Sequence, residues 1–224
     1  MLLKSRDMNL NPLTLIHRLI RSLLRRSSNS LSQKYNLFMA YRKFRKIADG
    51  KQIKLNLGSG PVKGDTGWTT IDVYGSDIIW DLRKNLPLSN NSVQEIYTSH
   101  LLEHLDYRDI RKLLLEIYRI MCPKGSLKIC VPDASRYISA YVSGTLLRNE
   151  KDLYTPAVTN TGSFIDQVNY IAYMGGEHKF MFDVHNLSSI LLECGFTTIL
   201  ERSPEIYLDS PERETDSLYL LAIK

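Results

Sequence analysis

The sequence predicts an α/β fold built on a mostly parallel, doubly wound β-sheet. From residue 50 onward, short apolar runs typical of strands alternate with longer segments of helical periodicity. Strands joined by helices pair in parallel and bind ligands at their carboxyl ends. The first apolar run also enters a glycine turn, which lets a backbone approach a ligand closely. A chain of 224 residues is long enough for one such domain with a short appendage.

Seven β-type runs define the predicted strands, and the last two differ from the others in how they are connected. No helix fits between these two, so we predict that they form an antiparallel pair. The runs lie at residues 53–57, 68–73, 77–81, 94–99, 126–131, 196–202 and 217–223.

Two helices of the domain are well marked. The first is predicted over residues 106–121, with Asp106 as its N-cap and apolar residues at helical spacing on one face. The second is predicted over residues 184–194, with Asp183 as its N-cap and Gly195 as its stop signal.

A basic helical extension precedes the domain. We divide the chain into this extension, residues 1–49, and one α/β domain, residues 50–224. Residues 1–50 contain eleven Lys and Arg and two Asp, a charge of +9, whereas the remainder carries −4 and the whole chain +5. The basic character is therefore a property of the extension, not of the domain.

Leucines, isoleucines and arginines at helical spacing over residues 12–26 predict an amphipathic helix, and residues 31–48 predict a second one. Packing on the domain or formation of a homodimer is the first interpretation of these helices. The alternative is a helix that lies on an anionic membrane surface, with arginines outward. Nucleic acid is disfavoured, because a basic run alone is poor evidence for it.

The cysteines and the first residues favour a cytoplasmic protein. Cys122, Cys130 and Cys194 are odd in number and lie among apolar residues, so we expect reduced thiols. Residues 1–7 lack the apolar core of a secretory signal, and no run of about 18 apolar residues predicts a membrane span. Peripheral attachment at the inner membrane face is the alternative location if the extension binds lipid.

The turn Gly58-Ser59-Gly60 and the acid Asp72 suggest a nucleoside site. Glycines after a strand leave room for a ligand, because no Cβ intervenes. A carboxylate at the end of the next strand can accept hydrogen bonds from both hydroxyls of a ribose. The alternative for Asp72 is a turn aspartate, and Gly-Ser-Gly is also an ordinary turn.

Further segments follow this turn in an order that is known from one family. Together with residues 55–60, they resemble the motifs of class I S-adenosylmethionine-dependent methyltransferases, in particular the small stand-alone type with Leu-Glu-His after the fourth strand. These segments are residues 67–72, Trp80-Asp81-Leu82, residues 92–105 and residues 116–133.

The resemblance implies a Rossmann-like sheet with strand order 3-2-1-4-5-7-6, and S-adenosylmethionine as cofactor. It implies cofactor contacts from Gly58, Ser59, Gly60, Asp72, Asp81, Leu82 and Ser99. The sequence departs from the family pattern between Pro61 and Gly67. This segment is too short for a full first helix, so the anchor that this helix gives to the methionine carboxylate in the family is in question.

Two histidines are candidates for catalysis at the acceptor. His178, after the pair Gly175-Gly176, is the first candidate for a general base, and His100 at the end of the fourth strand is the second. The structural alternatives are a His178 paired with Asp183 and a His100 bonded to backbone in its loop. For Asp81, the alternative is a cap of its own turn together with Asn85.

The sequence His100-Leu101-Leu102-Glu103-His104 spells the inverted zinc-protease pattern. A peptidase is disfavoured, because a strand precedes the motif where a helix is needed. A divalent ion on His100, Glu103, His104 and His178 that orients an acceptor hydroxyl is a second alternative. We predict no metal here and expect Glu103 and His104 to form a hydrogen-bonded structural pair.

Residues 134–183 are predicted to form a lid over the acceptor, since they are long and rich in tyrosine. The predicted function is methyl transfer to a hydroxyl oxygen of a small molecule or glycan, with nitrogen as the second choice. The rivals are a catalytically silent nucleoside-binding or scaffold protein and a nicotinamide-dependent oxidoreductase. The latter is disfavoured, because the turn lacks G-x-G-x-x-G.

Overall fold

The computed structural model describes residues 34–50, 52–62, 66–147 and 161–224. Seven strands in these segments form one sheet. They are β1 (Lys54–Leu57), β2 (Trp68–Asp72), β3 (Ile78–Ile79), β4 (Val93–Ser99), β5 (Met121–Pro132), β6 (Thr198–Glu201) and β7 (Ser217–Ile223). The helices are α1 (34–48), α2 (Tyr107–Ile120), α3 (Ala134–Ser143), α4 (Ile165–Tyr173) and α5 (Val184–Glu193).

The strand order is β3-β2-β1-β4-β5-β7-β6, which confirms the predicted topology. β1 pairs in parallel with β2 and β4, and β2–β3 and β4–β5 are also parallel. β7 is antiparallel to both β5 and β6. The carboxyl ends of β1, β2 and β4 therefore lie at one edge of the sheet, where the glycine turn, Asp72 and Ser99 are found.

Three strands differ clearly in length from their predictions, and β6 is one of them, with four residues instead of seven. β3 has two residues instead of five, because the Asp77 carboxylate turns back to accept hydrogen bonds from the Thr70 N–H and hydroxyl. β5 begins at Met121, directly after α2, although Pro123 and Gly125 lie within it. The helix stops because Met121 adopts extended backbone angles, two residues before the proline.

α2 and α5 have the predicted caps. The Asp106 carboxylate accepts a hydrogen bond from the Asp109 N–H at 3.0 Å. At α5, the Asp183 carboxylate accepts from the Asn186 N–H while the Asn186 side chain accepts from the Asp183 N–H, which is a capping box. Each helix buries one apolar face against the sheet in a single large core.

α1 packs on the domain rather than standing apart from it. Ala40 and Phe44 are buried in the main core, and the rings of Tyr41 and Phe44 meet Trp80 edge to face at 5.5 and 5.3 Å. The packing interpretation thus holds for residues 34–48, whereas the predicted helix over residues 12–26 lies outside the described residues. Within the described part of the chain, none of the helices has the length and apolar character needed to cross a lipid bilayer.

The predicted lid contains α3 and α4, which pack on each other around a small second core of Ala134, Tyr137 and Ile171. Residues 148–160 of the lid, with Tyr154, lie outside the described residues. Cys122, Cys130 and Cys194 are free thiols, as predicted; two are buried and Cys122 is half-buried.

A buried ion pair fixes the loop between β3 and β4 onto α2. The Glu116 carboxylate accepts hydrogen bonds from Arg119 at 2.7 and 2.8 Å and from the Leu86 N–H at 2.6 Å. Arg119 also donates to the carbonyl oxygens of Leu86 and Leu88. Burial opposes the ionisation of Glu116, but the bonds from Arg119 and Leu86 outweigh it and lower its pKa.

We expect Glu116→Gln to destabilise the protein by about 2 kcal/mol, since it leaves the Arg119 guanidinium without its carboxylate. Because the folded-state pKa of Glu116 is lowered, its contribution is complete above the unfolded-state pKa of about 4.3 and is lost as the pH falls through the folded-state value. The free-energy difference between wild type and variant in urea unfolding should therefore shrink below about pH 5.

The matched control is Glu193→Gln, which removes the surface ion pair with Arg111 at 3.8 Å. Both side chains are about half exposed, so we expect a change within about 0.5 kcal/mol. Equal effects of the two substitutions would contradict the structural role of Glu116.

Candidate active site

The glycine turn, residues 58–60, directly follows β1 and packs against the turn that follows β4. Gly58 and Gly60 both have positive φ angles, +75° and +57°. A Cβ built on Gly58 would stand 2.8 Å from the Leu101 side chain, whereas one on Gly60 would meet only the Tyr74 hydroxyl at 3.8 Å. Gly58 is therefore required twice, by its backbone angle and by the close approach of Leu101.

Asp72 faces this turn, as the sequence predicts. Its Oδ2 accepts a hydrogen bond from the Gly60 N–H at 2.8 Å, and its Oδ1 accepts from the Val73 N–H at 2.5 Å. The carboxylate thus connects the end of β2 to the turn after β1. Oδ1 also accepts a long hydrogen bond from the Tyr74 N–H at 3.4 Å, as a turn aspartate does. A carboxylate offers about four lone-pair positions, so Oδ2 keeps one for a ribose hydroxyl, and a second hydroxyl would replace the long bond to Tyr74.

No helix follows the glycine turn in the described residues. Residues 58–62 and 66–67 form turns, and β2 begins at Trp68. The Ser59 hydroxyl donates to the Gly60 carbonyl oxygen at 3.1 Å. The departure from the family that the sequence predicts is therefore present over these residues.

A cavity of about 630 Å³ lies between α1 and the ends of β2 and β3, and its lining includes Val73, the residue after Asp72, but neither Asp72 nor the glycine turn. Val73, Ile79, Trp80 and Asp81 line one side, and Leu37 of α1 lines the other together with Lys34 and Asn36. Leu82, predicted to contact the cofactor, is 7% exposed and belongs to the apolar core beneath this wall.

Asp81 lines this cavity, but its carboxylate is also engaged with Arg83. Arg83 donates to it through Nε at 2.9 Å, Nη2 at 3.0 Å and its backbone N–H at 3.1 Å. These bonds outweigh the effect of burial and lower the pKa of Asp81. The cap of the turn is thus made with Arg83, not with Asn85.

Ser99 ends β4 and contacts a residue that the sequence analysis did not single out. The Arg213 Nη1 donates to the Ser99 hydroxyl at 3.1 Å. Arg213 belongs to the loop between β6 and β7, residues 202–216. A cation from this loop therefore stands at the carboxyl end of the central strand.

A second cavity, of about 240 Å³, lies beyond the end of β4. We call it the acceptor cavity. Both predicted catalytic histidines line it, and the lid and the β6–β7 loop supply the rest of its wall. Its lining includes His100, Tyr137, Tyr170, His178, Arg213 and Asp216.

His178 is 7% exposed and its ring orientation is fixed. Its Nδ1 lies 2.8 Å from the Ile171 carbonyl oxygen, and because that oxygen only accepts, Nδ1 carries the proton and Nε2 keeps its lone pair. Burial lowers the pKa of His178, so the ring is neutral near pH 7. His178 is not paired with Asp183, which caps α5 instead.

His100 has a left-handed backbone, φ +51°, and a different environment. Its Nε2 lies 2.9 Å from the Ser217 hydroxyl, and its Nδ1 lies 3.3 Å from Glu103 Oε1. Burial opposes the charged ring, but contacts with Cys130 and Glu103 raise its pKa. His100 is thus suited to carry a positive charge beside Glu103, less to accept a proton.

The predicted hydrogen-bonded pair of Glu103 and His104 is wrong. The two residues lie on one 3₁₀ turn, Leu102–His104, and His104 Nε2 stays 3.9 Å from Glu103 Oε1. The other ring nitrogen, Nδ1, lies 3.2 Å from the Glu177 carbonyl oxygen, which directs the ring away from a bond to its neighbour.

The sequence analysis missed the β6–β7 loop as part of the site. Asp209 holds this loop, since its carboxylate accepts hydrogen bonds from Arg202 at 2.5 and 2.9 Å and from the Tyr97 hydroxyl of β4 at 3.0 Å. These partners are up to 112 positions apart, so no local pattern signals the loop. The loop brings Arg213 and Asp216 to the acceptor cavity.

We expect Gly58→Ala to destabilise the protein by about 3 kcal/mol or more, because it adds a steric clash with Leu101 to the cost of a positive φ. Gly60→Ala is the control, since it has the same kind of backbone angle but space for a Cβ, and we expect about 1–2 kcal/mol. Urea unfolding measures both, and equal losses would contradict the close approach of Leu101.

Comparisons with known proteins give structural alignments of low identity. A SAM-dependent methyltransferase from Archaeoglobus fulgidus is 15% identical, with 84% of this chain and 94% of that chain covered and a TM-score of 0.49. One from Aquifex aeolicus is 13% identical, with 81% and 88% covered and a TM-score of 0.46. Phosphoethanolamine N-methyltransferase 2 from Haemonchus contortus, in complex with S-adenosyl-L-methionine, is 13% identical, with 85% and 52% covered and a TM-score of 0.43.

No protein-family model and no curated protein sequence matches the chain. The strand order is that of the family which the motifs resemble, with β7 antiparallel between β5 and β6. On this order of its own strands, the chain has the class I methyltransferase fold.

Proposed function

We propose that this protein is an S-adenosylmethionine-dependent methyltransferase that acts on a hydroxyl oxygen of a small molecule or glycan. The observation that carries the proposal is the 2.8 Å hydrogen bond between the Gly60 N–H and the Asp72 carboxylate. It brings a glycine turn and an acid together at the carboxyl ends of the adjacent parallel strands β1 and β2. The lining of one cavity includes Val73, the residue after Asp72, and that of the acceptor cavity includes His100, the residue after Ser99.

The residues present fit the nucleoside part of the cofactor. Gly60 leaves open space beside the turn, since the nearest atom to an added Cβ would be the Tyr74 hydroxyl at 3.8 Å, and the lone pairs of Asp72 suit the ribose hydroxyls. The cavity between α1 and the strand ends, with Val73 and Trp80 in its wall, suits the adenine. The methionine end would then lie toward Ser99, where Arg213 supplies a positive charge for its carboxylate.

Bound S-adenosylmethionine supplies an electrophilic methyl carbon, to which the acceptor oxygen bonds as the carbon–sulfur bond breaks and sulfur keeps the electron pair. The task of the protein is to align the reactants, and positioning alone supplies much of the acceleration. The acceptor hydroxyl loses its proton in this reaction, and His178 is the neutral base that lines the acceptor cavity.

An oxygen acceptor is supported by the lining of the acceptor cavity. Tyr137 and Tyr170 provide flat aromatic surfaces, which suit sugars and phenols. Arg213 and Asp216 provide a donor and an acceptor for polar substituents. A volume of about 240 Å³ suits a small acceptor or the terminal unit of a longer one.

Calorimetric titration with S-adenosylhomocysteine tests the cofactor site. We expect wild-type protein to bind it and Asp72→Asn to bind at least about 10-fold more weakly, since a hydrogen bond to a charged group contributes about 1.5–3 kcal/mol. The matched control is Asp77→Asn, because Asp77 also bonds to β2, through Thr70, whereas the Gly60 N–H of the glycine turn bonds to Asp72. Equal weakening by both substitutions would contradict the proposed role of Asp72.

The same titration with NAD separates the rival functions. Binding of NAD without S-adenosylhomocysteine would favour an oxidoreductase, and binding of neither would favour a scaffold. Turnover is then measured by mass spectrometry as S-adenosylhomocysteine released from S-adenosylmethionine in a screen of sugars and phenols. Tight binding with no release in that screen would favour the silent nucleoside-binding protein.

A further inference from the structure

A buried carboxylate, Glu103, lies near the acceptor cavity without a hydrogen bond from the described residues. Glu103 is 1% exposed, and neither of its carboxylate oxygens has a hydrogen-bond partner among the described residues. An unsatisfied buried carboxylate is costly, so such a group normally pairs with a cation or coordinates a metal.

Two histidines near this carboxylate each keep one ring nitrogen unprotonated. His178 and His104 each place Nδ1 against a backbone carbonyl oxygen, of Ile171 and Glu177, at 2.8 and 3.2 Å. Nδ1 must therefore carry the proton in each neutral ring, which leaves a lone pair on Nε2. A carbonyl that holds the distal N–H is the usual partner of a metal-binding histidine, since it fixes the tautomer and the ring orientation.

The three side chains are close enough to share one ion. One ligand atom each from Glu103, His104 and His178 lies within 4.8 Å of the others. Ligands about 2.1 Å from a tetrahedral metal stand about 3.4 Å apart, so small side-chain rotations close the site. Glu103 and His178 of this group are buried, whereas the His104 side chain is 36% exposed.

The backbone holds the two parts of this cluster together. The Glu103 carbonyl oxygen accepts hydrogen bonds from the Lys179 N–H at 2.7 Å and from the Phe180 N–H at 3.3 Å. The 3₁₀ turn after β4 is thereby attached to the residue that follows His178. The His104 and His178 rings meet edge to face, with centroids 5.1 Å apart.

We propose that Glu103, His104 and His178 bind one divalent transition-metal ion, which faces the acceptor cavity. Two imidazoles and one carboxylate favour zinc, manganese, iron or cobalt over magnesium, which prefers oxygen ligands. With three protein ligands, the ion keeps a position open for water or substrate. His178 lines the acceptor cavity, so that position would open toward it.

The metal site would add one role to the proposed function, the activation of the acceptor hydroxyl. This role rests on the proposed function. A divalent ion beside the cavity would bind an acceptor hydroxyl and lower its pKa, which makes the oxygen a better nucleophile. It would also hold that oxygen in line with the methyl carbon. Because the ion would occupy the Nε2 lone pair of His178, this residue would then position the acceptor through the ion instead of accepting its proton, which would pass to water.

The rival interpretation is an ion pair that needs no metal. His100 Nδ1 stands 3.3 Å from Glu103 Oε1, without hydrogen-bond geometry, and a protonated His100 would balance the charge of Glu103. The two interpretations differ in what the other histidines do. The metal site needs His104 and His178, whereas the ion pair needs only His100.

The test is metal binding by the full chain, freed of any histidine tag and of metal by chelator dialysis. Calorimetric titration with Zn²⁺ and with Co²⁺ should give about one ion per chain, and bound Co²⁺ should show the visible bands of a four- or five-coordinate ion. His178→Gln and Glu103→Gln should each weaken binding at least about 100-fold, because each removes one of three ligands. His104→Gln, at a half-exposed site that tolerates substitution, should do the same.

His185→Gln is the matched control, since His185 is an exposed histidine on α5 outside the cluster. Binding should stay within about 2-fold of wild type in this variant and in His100→Asn. Circular dichroism verifies that each variant is folded. Wild-type protein that takes up no stoichiometric metal, or equal loss in His185→Gln and His178→Gln, would overturn the proposal.

Titration of the metal-free protein with S-adenosylhomocysteine separates this proposal from the proposed function. Retained nucleoside binding without metal uptake would overturn the metal site alone. Metal uptake without nucleoside binding would support the metal site and contradict the methyltransferase.

Discussion

The hydrogen bond from the Gly60 N–H to the Asp72 carboxylate is the contact on which the proposed site depends. It joins the ends of β1 and β2, and it holds the glycine turn next to an acid. The parallel pairing of these strands places both ends at one edge of the sheet, so the contact follows from the fold. What lies on either side of it then decides what the protein can bind.

The two cavities are built from distant parts of the chain. The cavity of about 630 Å³ is lined by α1 and by residues around Trp80, so residues before the domain proper help to shape the cavity proposed for the nucleoside. The lid and the β6–β7 loop enclose the acceptor cavity, with Asp209 and Arg202 fixing the loop to β4 through Tyr97. The buried charges of this region therefore serve to position groups as much as to stabilise the fold.

The sequence predicted local features well, because hydrophobic period, caps and turn residues act over a few positions. The order of the strands came from the resemblance to the methyltransferase family, and the structure confirms it. Asp106 and Asp183 cap their helices as expected, and Asp72 meets the glycine turn. The sequence did not predict contacts that depend on long-range packing, such as the hydrogen bond from Arg213 to the Ser99 hydroxyl. The expected Glu103–His104 pair failed for the same reason, since the Glu177 carbonyl oxygen, 73 positions away, sets the His104 ring.

The most direct test of the account is a crystal structure of the complex with S-adenosylhomocysteine. It should place the two ribose hydroxyls within about 2.5–3.0 Å of the Asp72 carboxylate oxygens, with the adenine beside Trp80 and the sulfur facing Ser99. A nucleoside bound elsewhere, or an Asp72 carboxylate more than about 4 Å from both hydroxyls, would contradict it.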